Sequence, residues 1–430
     1  MKKTNIIIFL SFSLILLLSA AKADSQDPLN DSIADKRIRT AQIYRDGWNL
    51  SFPSIKLGTD DRLSLNFDLL DDHAETYYYT FIHCDKDWNS SSLAINDYLE
   101  GFYENPVEDY KPSFNTTVNY FHYKAVFPNE KVKFKISGNY IVKVYKPDEP
   151  ENPALMMRFI ITEDIAGITI NLHRPQNTRD DNARQQVEFN VSLARIPVND
   201  AYRDIYSFVL QNGRWNNARK NLKPEYYGNN ELKYSALSQK NVFMGGNEFR
   251  YFDIKSIRYV SEYIKSIEYS APYYNVLLKP SENRENKPYF YWKDFNGISY
   301  IATADGKNPD TDADYLNVFF TLPSPEKAEG GDMYVSGAFN NWKFNSNNLM
   351  SYNRQKKQYE CSILLKQGWY NYEYVLLKDG DSEGVASRFE GSHYETENDY
   401  MVIVYFRNPR GRYDRIIGTA SANTLNHLAY

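Results

Sequence analysis

Apolar and polar residues alternate with a period of two along most of this chain, in short runs. Residues 62–69 set Leu63, Leu65, Phe67 and Leu69 against Ser64, Asn66 and Asp68, the pattern of a strand with one buried face. Similar runs follow at 77–83, 120–126, 139–145 and 157–162. After a polar break at 163–167 they resume at 168–172, 186–193, 206–211, 249–254, 273–278 and 315–322, with Pro272, Pro280 and Pro288 as punctuation. A third set lies at 333–337, 359–365, 370–377 and 399–406, with Asp379-Gly380 as a hairpin turn. Helical periodicity is nearly absent; 94–102 reads as one helical turn or a strand edge. The pattern predicts an all-β protein of tandem β-sandwich (immunoglobulin-like) domains, three in series. Their expected limits are 36–163, 164–322 and, for a smaller unit, 332–408. The Pro- and Gly-containing run 323–331 reads as the linker before the third unit, 177–184 as a polar hairpin loop, and 409–430 as a loose tail.

The N-terminus changes this picture. Lys2 and Lys3, the apolar run 6–18 and Ala21-Lys22-Ala23 form a signal peptide over 1–23, with cleavage after Ala23. The run is too short for a membrane span, and the polar residues 24–35 read as flexible. Export with no later hydrophobic segment implies no direct membrane insertion. Loss of three lysines with the signal takes the formal charge from −5 to about −8. That acidity argues against nucleic acid, which requires a basic face. The 37 tyrosines suit strands and interfaces, where a ring needs one apolar and one wet side. Cys84 and Cys361 are the two cysteines; far apart in sequence and assigned to different domains, they read as free thiols rather than a disulfide.

Candidate chemistry is sparse. Asp85, Asp87 and Asn89 have the opening spacing of a calcium loop, but Ser90 stands where that loop needs glycine, and no acid closes it in register. His83 and Cys84 are adjacent and point to opposite faces of a strand, so they are poorly placed to share an ion. The structural reading is a tight turn capped by Asp and Asn, with Trp88 as a lid. Gln211-Asn212-Gly213-Arg214-Trp215-Asn216 reads as a strand end, an Asn-Gly turn and an Arg–Trp stack. Gly245-Gly246-Asn247-Glu248-Phe249-Arg250-Tyr251-Phe252-Asp253 places Glu248 and Arg250 on one strand face, as an ion pair pinning a loop. No pair of carboxylates visibly converges, and no nucleophile elbow, zinc helix or phosphate loop occurs. The chain is expected not to be an enzyme, and to hold no metal and no cofactor.

Gly337-Ala338-Phe339-Asn340-Asn341-Trp342, with Tyr370-Asn371-Tyr372-Glu373-Tyr374 downstream, resembles starch- and glycogen-binding β-sandwich modules. The resemblance implies that Trp342 stacks on a sugar. Glu373 stands where those modules carry Lys, however, and no Trp follows Asp379-Gly380, so the fold carries over better than the sugar site. Glycan binding by the Trp342 face is the alternative function.

Along nearly the whole chain, motifs occur in the order of a second family. They include Tyr77-Tyr78-Tyr79-Thr80-Phe81-Ile82-His83-Cys84-Asp85, Tyr98-Leu99-Glu100-Gly101-Phe102, Ser137-Gly138-Asn139-Tyr140, the two loop motifs above and Lys366-Gln367-Gly368-Trp369-Tyr370-Asn371-Tyr372. In this the chain resembles the plug protein family of the Bacteroidetes type IX secretion system. The resemblance implies a periplasmic, non-enzymatic protein associated with the outer membrane. Its partner would be the translocon barrel of that system, whose periplasmic mouth it seals when no cargo is engaged; it would be a monomer when free. The expected contact residues are Asp85, Asp87, Trp88, Asn89, Asn212, Arg214, Trp215, Asn247, Glu248 and Arg250.

Overall fold

A computed structural model describes residues 28–175, 181–235 and 239–427. The expected signal peptide, and residues 177–180 of the expected hairpin loop, lie outside them. The described chain is nearly all β, in antiparallel-rich sheets that pair into sandwiches.

Domain 1 is a sandwich of two sheets. One contains Leu155–Thr162, Gly138–Tyr145 and Tyr78–Cys84; the other contains Ile38–Arg45, Leu63–Leu69 and Phe121–Phe127. Between them lie Leu65, Phe67, Phe81, Tyr123, Tyr140, Val142 and Phe159. The segment 94–102 holds both expected forms, a helical turn at Ile95–Tyr98 followed by a strand at Leu99–Gly101. The end of the segment expected to be flexible is tied down. Ser32 and Ile33 pair with Met156 and Leu155, and Asp31 Oδ2 accepts from both Nε and Nη2 of Arg158 while its Oδ1 takes the Arg158 backbone N–H.

The second and third domains are not in series. Ile205–Gln211 pairs along its whole length with Asp399–Arg407, which pairs in turn with Asp414–Asn423. This sheet closes over Gly167–His173 and Arg184–Ser192, around Val187, Phe189, Val209, Val402 and Val404. Domain 2 is thus built from two separated stretches, and domain 3 is inserted between them. In domain 3, Arg250–Asp253, Ser299–Ile301 and Gly331–Ser336 all pair with the long strand Gly368–Lys378. The opposing sheet runs through Ile264–Ser270, Tyr273–Leu278, Tyr315–Pro323 and Gln358–Lys366. The expected boundary at 323–331 is therefore corrected. That run is a connection inside one sandwich, because the strands on either side of it share the core of Val318, Phe320, Val335 and Tyr374. The expected loose tail is corrected as well: Ile416 and Ile417 are buried in a strand, and a helical turn follows at Thr424–His427.

Domains 1 and 2 join sheet to sheet. On Gly138–Tyr145 the side chains of Tyr140, Val142 and Val144 enter the core of domain 1, whereas Ile141 points the other way. On Asp399–Arg407, Val402, Val404 and Phe406 enter the core of domain 2, whereas Ile403 and Tyr405 point back towards Ile141. Both strands read as nearly continuous apolar runs because each is covered on two faces.

Candidate functional site

Several of the residues expected to meet a partner, Trp88, Arg214, Trp215 and Arg250 among them, are engaged inside the protein, whereas Asn89 is exposed. Asp85 caps its own turn, its Oδ1 accepting from the backbone of Asp87 and Asn89 at 2.9 Å each. This fixes Trp88 in the left-handed region (φ 70°), buried between domains 1 and 2. Its ring meets Trp215 edge-on at 4.9 Å, and the Arg158 guanidinium lies over both rings. Asp87 pairs with Lys86, and Asn89 is bonded to Asp85. The expected Arg214–Trp215 stack does not form. Arg214 lies over Trp342 at 4.2 Å and pairs with buried Glu373 at 3.0 Å, joining domain 2 to domain 3. That cation covers a face of the Trp342 ring, and the ring packs against Phe249 and Gly297. No open sugar platform is left on the covered face.

Asn212 exchanges bonds with Asn398 and Asp399. Residues 245–250 leave domain 2 and residues 390–398 return to it, side by side. A Cβ at Gly245 would fall 2.0 Å from the His393 carbonyl, so the approach requires glycine. Asn247 donates to the Glu390 carbonyl. The expected Glu248–Arg250 pair is also corrected. Arg250 turns to Glu390, at 3.0 Å, and Arg284 shares that carboxylate at 2.5 Å. Glu248 is fully buried and takes only the Tyr289 hydroxyl and the Glu397 N–H.

A joint between domains 1 and 3 was absent from the sequence reading. Asp68, Lys366 and Tyr315 are buried where the polar face of Leu63–Leu69 meets domain 3. Asp68 Oδ2 accepts from Lys366 Nζ at 2.6 Å and from the Tyr315 hydroxyl at 2.7 Å, and His122 Nδ1 lies 2.7 Å from Oδ1. Burial opposes the charge on Asp68, but Lys366 and His122 overcome it and hold the carboxyl below its ordinary range. Asp314 adds bonds to the Thr117 and Val118 backbone. The available signal was a lysine ending the apolar run 363–365, opposite an aspartate on a strand's polar side.

Residues 38–163 match the family profile described as "Type 9 secretion system plug protein 1st domain". Through this first domain the chain belongs to the type IX secretion system plug family. A crystal structure of a hypothetical protein from Parabacteroides merdae ATCC 43184 is 34% identical and superposes with a TM-score of 0.89, over 93% of this chain and 100% of that one. A putative membrane anchored protein from Corynebacterium diphtheriae aligns over 89% of this chain and 90% of its own at 8% identity, with a TM-score of 0.12, which carries no argument. No curated protein matches. Membership of the plug family gives the protein a plug role associated with type IX secretion, and implies a periplasmic location near the outer membrane.

Two features of this plug family chain face outward. One is a groove of about 1020 Å³ in domain 1, floored by Tyr79, Val107 and Phe134 and rimmed by Lys56, Arg62 and Lys131. The other is an aromatic strip on domain 3. Tyr251 stacks on Trp369 at 4.5 Å, Tyr263 meets Tyr251 edge-on at 4.8 Å, and exposed Tyr300 pairs across the sheet with Trp369. Among the described residues no group of His, Cys, Asp and Glu is placed to hold a metal. None of the described helices is long and apolar enough to cross a membrane. Cys84 is buried, Cys361 is half-buried, and both are free.

Proposed function

We propose that this protein is a non-enzymatic plug that binds the periplasmic mouth of the type IX translocon barrel and seals it when no cargo is engaged. The observation that supports this most directly is the closure of the three domains on one another. Domain 1 meets domain 2 through apolar sheet faces, domain 2 meets domain 3 through the paired crossing and Arg214–Glu373, and domain 3 meets domain 1 through Lys366–Asp68. A body held at three joints resists deformation better than domains strung on linkers. A seal over a wide aqueous pore requires that stiffness.

The surface we assign to the barrel is the aromatic strip of Tyr251, Tyr263, Tyr300 and Trp369, not the buried loop residues. Tyrosine and tryptophan give large contact area at low side-chain entropy cost, and their polar atoms still find partners in a wet rim. The test is affinity capture of the tagged, exported protein from detergent-solubilised outer membranes. A very large barrel subunit in near-equal amount is expected. Tyr263→Asp with Tyr300→Asp should abolish capture while leaving the thermal melt unchanged. Capture of no barrel by the native protein overturns the reading, and full capture by the double variant moves the contact elsewhere.

A further inference from the structure

The buried acids of this chain mostly have a cation. Asp68 has Lys366, Glu373 has Arg214, Glu390 has Arg250 and Arg284, and Asp31 has Arg158. Buried Asp314 has no cation either, but hydrogen bonds from Thr117, Val118 and Tyr315 fill its carboxylate. Buried Glu248 and Asp294 and half-buried Glu397 lie together where the crossing segments between domains 2 and 3 meet residues 279–298, and among the described residues none of the three makes an ion pair. Glu248 Oε2 is buried and has no hydrogen-bond partner. Asp294 accepts only backbone N–H bonds, from Phe249 and Asn296.

Residues 279–298 have no helix or strand among them. An irregular stretch of that length within a compact domain is uncommon, and commonly belongs to a lid or strap. Its ends are fastened independently of these acids: the Ser281 N–H reaches the Thr321 carbonyl and its hydroxyl lies against Tyr372 and Tyr374, the Arg284 N–H reaches the Phe389 carbonyl, and the Phe295 N–H reaches Asn371. The stretch between those ends is held at the acid cluster. Arg284 reaches Glu390 and the Glu248 carbonyl, Tyr289 the Glu248 carboxylate, Tyr291 the Glu397 carboxylate, and Trp292 the Phe249 carbonyl; Asp294 receives the Phe249 N–H, and Asn296 reaches Asp399. Phe290, midway along it, is 72% exposed.

We propose that residues 279–298 are a proton-latched strap, fastened across the domain 2–domain 3 crossing while the Glu248–Asp294 pair retains protons and released when both carboxyls are charged. The charges facing the pair give the sign. Glu397 and Glu395 come from the returning segment, with Asp399 beyond them; His393 on that segment is held towards its neutral form by burial. Arg284 is on the strap; its Nε and Nη2 reach Glu390, its Nη1 is buried without a hydrogen-bond partner, and its charge works against the rise at Glu248, while Arg250 is committed to Glu390. Lys293 and Glu285 are at the solvent side. The pair therefore faces more carboxylates than free cations. Burial pushes Glu248 up to about 7 and Asp294 up to about 7, and Glu397 adds to both shifts. Opening the strap returns both to the ordinary carboxylate range near ~4. The closed form therefore holds its protons more tightly, and its advantage is lost as pH rises through about 7. The pair titrates as a unit. The latch does not depend on the plug reading.

Hydrogen exchange on the intact mature chain, corrected for the intrinsic pH dependence of amide exchange, tests it. Protection of residues 279–298 and 245–252 is expected to fall at least about ten-fold between pH 6 and pH 8.5, with residues 63–69 of domain 1 unaffected. Glu248→Gln with Asp294→Asn should flatten that dependence. Should this double variant fail to fold, Glu397→Gln at its half-buried position should shrink the fall by removing a like charge. Strap protection that is constant with pH in the native chain overturns the latch. So does an undiminished fall in either variant.

Discussion

Two joints meet in domain 1, and they are built on opposite principles. The joint to domain 2 is a second hydrophobic core, with Ile141, Ile160, Phe208, Ile403, Tyr405 and Trp88 between two sheet faces. The joint to domain 3 is as dry but polar, centred on the Lys366–Asp68 pair, with each side chain about 1% exposed. Apolar burial is non-directional and tolerates imperfect shape at moderate cost. A buried ion pair gives little net stability against a well-packed apolar alternative, yet breaking one side of it is severe. The first joint is therefore a source of stability, and the second a determinant of how domain 3 is seated.

The contrast breaks most visibly at Lys366. Lys366→Met should strand the Asp68 charge and cost about 3–5 kcal/mol, read as a lowered urea midpoint at pH 7. Adding Asp68→Leu should restore most of that loss. If Lys366→Met alone is neutral, the pair does not carry the joint.

Acid sharpens the comparison in an unexpected direction. His83, at the rim of the apolar joint beside Tyr413, is pushed by burial down to about 4. A histidine lowered in the folded state contributes stability that is full above its ordinary value of ~6.5 and is lost as pH falls from there towards 4. Asp68, also lowered, keeps its contribution until pH falls below the ordinary aspartate value of ~3.9. The rim of the apolar joint should thus weaken first, by about 3 kcal/mol between pH 6.5 and 4. Because Glu248 and Asp294 titrate with the opposite sign over this range, the readout is the difference between native and variant: His83→Gln should gain about 3 kcal/mol on the native protein in melts taken from pH 6.5 to 4, and a constant difference would place the sensitive group elsewhere.

Within the apolar joint, Ile403→Val removes one methylene and should cost about 1 kcal/mol, with no change in pH dependence. The smallest effect belongs to the open strip. Tyr300→Ser touches neither joint and should shift stability by less than about 0.5 kcal/mol, while weakening capture of the barrel. A large loss of stability there would mean that the strip is structural.

The sequence alone determined many of the strands, though not Ile38–Arg45, Ile264–Ser270 or Asp414–Asn423. Alternation in 62–69 and the apolar runs at 139–145 and 399–406 correspond to Leu63–Leu69, Gly138–Tyr145 and Asp399–Arg407, because period-two burial is a local property of a pleated backbone. It also pointed to the family through ordered motifs, and the family profile bears this out over residues 38–163. The tertiary structure decided where each strand went. Nothing local to 399–406 says that it pairs with 205–211 rather than with its near neighbours, and the strand in the expected tail carried too short an apolar signal in Ile416 and Ile417. The same limit explains the site. Asp85, Trp88, Arg214, Glu248 and Arg250 have the chemistry of a recognition surface. An aromatic, amide and charge pattern specifies that something polar and well packed will be met, but not whether the same chain supplies it. Here domains 2 and 3 folded back onto those residues, and the face left open was the Tyr251–Trp369 strip.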